Sequence, residues 1–284
     1  MKTSIVSSHI HAIFIETQYK SIKKFFKGDY EFIVINDSRC RRTKRKINEK
    51  CIELGIKMIS VPQKIHRHRT LTFPNTQEPN VMNACTRCAD TVQYAYNKFK
   101  NENGIFFLID SDMFLIKDFD ANKYIEDYHV SGLKQSRGKI YYLWNGIFLM
   151  NLNTAPSKDS LNWDCGKVEG ESVDVGGQTY HYLENNKDNL KVKYMDQVYL
   201  GKIEEYENYK KTKNSLSEID ISILDDFVNL YKDFKFNNVK ISKEYFNKEL
   251  LIDNCVFHIR GGGNWNNEGL NHYNESVKII DKHI

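Results

Sequence analysis

Short apolar runs alternate with amphipathic helical stretches through the first 110 residues, and few architectures satisfy that order. Residues 4–7 read as a short strand. Ile15, Tyr19, Ile22 and Phe25 then recur at helical spacing and predict a helix that stops near Gly28. Residues 31–36 (EFIVIN) form a β-branched and aromatic run that ends at the turn signal Asn36-Asp37. Ile47, Cys51 and Leu54 predict a second helix, with Gly55 as its C-terminal cap. Residues 56–61 give a third strand closed by Pro62, a long helix follows over roughly 81–100, and 105–109 (IFFLI) is fully apolar. This alternation predicts an α/β fold whose mostly parallel central sheet is covered on both faces.

Ligands of such sheets bind beyond the carboxyl ends of the strands. Here those ends carry Ser7-Ser8-His9, Asn36-Asp37-Ser38, Pro62-Gln63 and Asp110-Ser111-Asp112. The half is Rossmann-like, yet no GxGxxG phosphate loop is present, which argues against a nicotinamide or flavin enzyme. In the second half, 139–143 and 146–152 predict two strands around a turn at Trp144-Asn145-Gly146. Asp174 leads through Gly176-Gly177 into a helix containing Tyr180 and Leu183, and 191–195 predicts another strand. The polar stretch 201–247 reads as a peripheral helical insertion. A last strand, 255–259, runs into Arg260-Gly261-Gly262-Gly263-Asn264-Trp265.

Composition narrows the class further. A hydrophobic share of 40% and a charged share of 27% exclude fibrous and wholly disordered chains. No apolar run approaches a membrane span, and the N-terminus lacks an apolar leader core, so a cytoplasmic protein with reduced cysteines is expected. Cys85, Cys88, Val92, Ala95 and Phe99 share a helical stripe, which places the lone CxxC in the core. A net charge of +4 is mildly basic and suits a protein that handles phosphates.

Two segments carry chemistry. Asp110 and Asp112 follow a buried strand one residue apart, a hard-oxygen arrangement that suits Mg²⁺ or Mn²⁺ and leaves positions open for phosphate oxygens. His258 follows another apolar run and precedes Arg260, a bidentate anion partner, and three glycines whose amides can wrap a phosphate.

In this order, DSD at 110–112, WNGIFLMNLN at 144–153, KVKYM at 191–195 and HIRGGGNW at 258–265 resemble glycosyltransferases of the GT-A fold. The closest pattern is that of the glycogenin and lipopolysaccharide-galactosyltransferase family, and YEFIVINDS is similar to the nucleotide strand of GT-A enzymes. The resemblance covers roughly residues 3–200 and 250–266. It implies one GT-A domain over 1–284, with a nucleotide-binding half at 1–115 and an acceptor and metal half at 116–200 and 248–284. It further implies a nucleotide-sugar donor (a UDP-sugar), an acceptor that is a glycan, a protein or DNA, and Mn²⁺ or Mg²⁺ held by Asp110, Asp112 and His258. Asp37 matches the residue that reads the base, and Ser7 and Ser8 lie on the first nucleotide loop. Ser111, Asn145, Gly146, Arg87, Arg260 and Gly261 match donor-side positions.

Asp174 is expected at the start of the helix that follows it, where the dipole keeps a carboxylate ionised, and it stands where such enzymes place the carboxylate that deprotonates the acceptor or contacts the sugar. The family's Asp-Gln-Asp is Asp174-Val175-Gly176 here, and its Lys-Pro-Trp is Gly-Asn-Trp, with Arg260 standing in for the lysine. The basic runs 39–46 (RCRRTKRK) and 66–69 (HRHR) admit an alternative: glycosylation of a hydroxymethylated DNA base, or non-catalytic nucleic-acid binding.

Overall fold

The structure is a computed structural model that describes residues 1–66, 84–199, 222–223, 225–226, 235–236, 239–240, 250–259 and 267–284. The main elements are β1 (Thr3–His9), α1 (Ile15–Phe25), β2 (Tyr30–Asn36), α2 (Arg41–Leu54), β3 (Lys57–Ser60), α3 (Ala84–Phe99) and β4 (Ile105–Ile109). They continue with β5 (Met113–Leu115), β6 (Val130–Arg137), β7 (Ile140–Asn151), α4 (Thr179–Asn185) and β8 (Val192–Tyr194). The last are β9 (Gln197–Tyr199), β10 (Leu250–Ile252), β11 (Val256–His258) and α5 (Asn267–His283).

The chain divides into two compact units. One comprises Met1–Ile15, Lys27–Asp110 and Asp120–Met195; the other comprises Glu16–Phe26, Ser111–Phe119 and Asp196–Ile284. The first unit is built on a seven-stranded sheet of order β8-β6-β7-β4-β1-β2-β3. β1 runs parallel to β2 and β4, β2 to β3, and β8 to β6, while β7 is antiparallel to β4 and β6. The expected α/β architecture with a mostly parallel central sheet is therefore present.

Its core explains the order of the sequence. Val92, Ala95, Tyr96 and Phe99 form one face of α3 and pack with Val6, Ile33, Phe106, Leu108, Phe148 and Trp163. The Trp163 ring meets Phe148 edge-on at 4.9 Å. Gly55 ends α2 in the left-handed region at φ 67°, where a side chain would be strained, and its amide reaches back to the last turn.

One expected boundary is absent. Residues 139–143 and 146–152 do not form two strands around a turn; β7 runs unbroken through Trp144, Asn145 and Gly146. Its first part pairs with β6 alone and its last part with both β6 and β4, and a bulge between Gly132 and Lys134 takes up the mismatch. Polar residues inside a strand look like a turn in sequence, and only pairing on two sides reveals otherwise.

The second unit carries an antiparallel sheet of order β9-β10-β11-β5. α1 is tied to it: Gln18 Nε2 donates to the Met113 carbonyl at 2.9 Å, and the Leu115 amide donates to Ser21 Oγ at 3.0 Å. Thr17 Oγ1 donates to Asp281 on α5. Most of 201–247, the expected helical insertion, lies outside the described residues, although 235–236 and 239–240 pair as a short antiparallel ladder. Among the described residues no helix is long and apolar enough to cross a membrane.

Candidate active site

β4 delivers Asp110 to the carboxyl edge of the sheet, where its amide donates to the Gly146 carbonyl at 2.8 Å. Ser111 makes the turn and Asp112 follows. β5 then pairs with β11 so that Met113 stands opposite His258, and the Ile259 amide donates to the Asp112 carbonyl at 3.0 Å. This pairing brings residues 146 positions apart into contact: His258 Nε2 lies 3.2 Å from Asp112 Oδ1, and both side chains are nearly buried. Asp110 is joined to Asp112 through Ser111 alone. One ligand atom from each of Asp110, Asp112 and His258 lies within 4.8 Å of the others. Two hard carboxylate oxygens and an imidazole nitrogen, convergent and largely shielded from water, fit Mn²⁺ or Mg²⁺.

A second constellation, within the first unit, surrounds Asp37. Its carboxylate accepts from Arg87 Nε at 2.6 Å and from His66 Nε2 at 2.8 Å. Arg87 Nη2 also donates to the Asp37 carbonyl. His66 Nδ1 lies 3.3 Å from Asp90 Oδ2, so the imidazole bridges two carboxylates. His66, Asp37 and Asp90 are all buried. Burial by itself disfavours the imidazolium, but hydrogen bonds and charge from Asp37 and Asp90 outweigh it and raise His66 to about 9. Among the described residues, two carboxylates thus face two cations.

His66 and Asp90 were not singled out by sequence reasoning. His66 is hidden in the basic run 66–69, of which 67–69 lie outside the described residues. Asp90 was legible as the one acid among the residues around the CxxC, three positions after Arg87.

The remaining candidates divide. Ser7 is fully buried and its Oγ has no hydrogen-bond partner among the described residues, whereas Ser8 and Ser111 are half-buried. Asn145 is buried beside α3, its Nδ2 3.6 Å from Cys88 Sγ. Gly146 lies against the Trp144 ring, where a Cβ would fall 2.2 Å from ring carbons. Arg260, Gly261 and Trp265 lie outside the described residues.

Asp174 is not at a helix start, contrary to expectation. α4 begins at Thr179, behind the turn Val175-Gly176-Gly177-Gln178, so the helix dipole does not act on the carboxylate. Instead Asp174 Oδ1 accepts from the Val175 amide at 2.8 Å. The CxxC stands at the edge of the core that its stripe predicts. Cys85 and Cys88 are only partly buried; Cys88 packs against the core cluster, and both lie near carboxylates. Burial and then the Asp174 charge and hydrogen bond push the Cys85 thiol up to about 12; burial, Asp110 and Asp174 push Cys88 up as well. α3 therefore turns Val92, Ala95 and Phe99 into the core and holds Cys88 at its edge, near Asp110 and Asp174. All six cysteines are free thiols.

No family model matches the chain, and no curated protein matches it. Among solved structures, the galactosyltransferase LgtC in complex with donor and acceptor sugar analogues is similar at TM-score 0.43 and 10% identity, covering 99% of this chain and 96% of that one. Mouse xyloside xylosyltransferase 1 is similar at TM-score 0.43 and 8% identity, covering 69% and 86%. The glycosyltransferase GlyE of Streptococcus pneumoniae is similar at TM-score 0.41 and 14% identity, covering 99% and 62%. These likenesses are distant.

Proposed function

We propose that this chain is a divalent-metal-dependent glycosyltransferase, moving a sugar from a nucleoside-diphosphate donor such as a UDP-sugar to an acceptor hydroxyl. The observation that carries the reading is the convergence of ligand atoms from Asp110, Asp112 and His258 within 4.8 Å of one another. These three residues would hold Mn²⁺ or Mg²⁺, which when bound neutralises the diphosphate leaving group. Ser8, Asn145 and Gly146 supply polar and backbone groups on the donor side. Asp37 works with Arg87: the carboxylate fixes the guanidinium, and the ion-paired group gives the nucleotide a rigid wall. Asp174 is the acceptor-side carboxylate, which takes the hydroxyl proton in an inverting reaction or contacts the sugar in a retaining one.

The test is a donor-hydrolysis screen across nucleotide sugars with Mn²⁺, run on the wild type and on Asp112→Asn. We expect turnover of at least one donor in the wild type, and its loss in a variant that remains folded. Undiminished turnover by Asp112→Asn with metal chelated sinks the proposal.

A further inference from the structure

The first unit carries a second polar feature that the proposed reaction does not use. Arg41, Arg42, Lys44 and Arg45 line a cavity of about 720 Å³ together with Asn48, Met58 and Ser60. None of these lining residues is acidic. Arg41, Lys44, Arg45 and Asn48 recur at intervals of three and four, so they form one stripe along α2. Met58 and Ser60 are two apart on β3 and so share one strand face. Ile47 and Cys51 are the buried residues of α2, so the basic stripe is not a by-product of core packing.

Helix stability does not call for these charges. Cations in a first turn oppose the helix dipole and repel one another, each effect costing a few tenths of a kcal/mol or more. α2 has no acid in its first turn. Arg45 reaches Glu49 at 3.2 Å, but both side chains are largely exposed, where such pairs contribute little. The groove is also held in place. Asn36 Nδ2 donates to the Lys44 carbonyl at 3.0 Å, which ties α2 to the end of β2, and Asn36 stands opposite Ser60 in the ladder. It therefore opens at the carboxyl edge of the parallel strands.

We propose that this groove binds a phosphate-rich polyanion, gripped by bidentate arginine contacts and by charge. Closely spaced phosphates suit three guanidinium forks within five residues. Among the described residues no aromatic side chain lines the groove, so recognition reads phosphate and not stacked bases.

The probe is long-chain inorganic polyphosphate, titrated into the intact protein at several salt concentrations. Wild type should bind with an affinity that falls steeply with salt. The triple variant Arg41→Ala, Arg42→Ala, Arg45→Ala should bind at least about tenfold more weakly with a shallower salt slope. Circular dichroism and Tm show that it is folded, and its hydrolysis of a nucleotide sugar should match wild type. Equal polyphosphate affinity and slope in the two proteins overturns the proposal, and so does equally tight binding of polyglutamate. Loss of donor hydrolysis with polyphosphate binding intact would move the arginines into the donor site and overturn it too. Because binding is read without turnover, failure of the transferase reading leaves this result standing.

Discussion

Asp37 shows how one residue's role depends on neighbours far along the chain. Sequence places it at the end of a nucleotide strand; the fold closes its carboxylate with His66, Arg87 and, through His66, Asp90. Removing one partner leaves buried charge uncompensated, so His66→Gln should cost roughly 3–5 kcal/mol. The pH dependence follows from the sign of the shift. His66 is raised from 6.5 to about 9, so its contribution is fully present below about 6.5 and is lost as pH rises through 9. Wild-type Tm should therefore fall across that window more steeply than the Tm of His66→Gln; parallel curves would show that His66 is not charged in the fold. Asp174 makes a different residue-scale case. With α4 starting five residues later, it has no capping task there, and Asp174→Asn preserves the acceptor for the Val175 amide. If it is the general base, transfer should fall by about a hundredfold or more with nucleotide affinity nearly unchanged. A retained anomeric configuration in the product would instead make it a sugar-positioning residue.

At the scale of elements, the segment before α4 depends on one backbone position. Gly176 adopts φ +90°, and a Cβ there would meet the Leu143 carbonyl oxygen at 2.2 Å. Its amide donates to the Trp163 carbonyl, and the Gly177 amide donates to that of Asp174, so the loop is folded onto β7 and onto the core tryptophan. Gly176→Ala combines an unfavourable φ with a backbone clash. It should lower stability by about 1–3 kcal/mol and reduce transfer beyond the loss of folded protein, measured by urea unfolding and by turnover per folded molecule. Wild-type stability would mean that β7 yields freely at Leu143. The strands and helices up to β4 were legible because each has an unmixed period, β-branched runs for strands and three-four spacing for helices. β7 was not, because Trp144-Asn145-Gly146 mimics a turn while its pairing with β4 and β6 keeps it extended.

For the whole molecule, the metal site couples to folding. A ligand that binds only the native chain stabilises it by about 2.7 kcal/mol at a hundredfold excess over its dissociation constant. Mn²⁺ should therefore raise Tm in wild type, and chelation should reverse the rise. Asp112→Asn should show neither change, and an identical shift in that variant would remove Asp112 from the ligand set. The sequence by itself determined the α/β class, the strand that ends on Asp110, and the residue types able to hold a hard cation, because periodicity and ligand chemistry are local. Tertiary structure alone decided that β11 lies beside β5, so that His258 meets Asp112, and that His66 and Asp90 close around Asp37. It likewise placed Cys85 and Cys88 near carboxylates and left Asp174 ahead of its helix. Such facts depend on contacts between residues tens to hundreds of positions apart, and the spacing of side chains along a chain carries no record of which strand edges will pair.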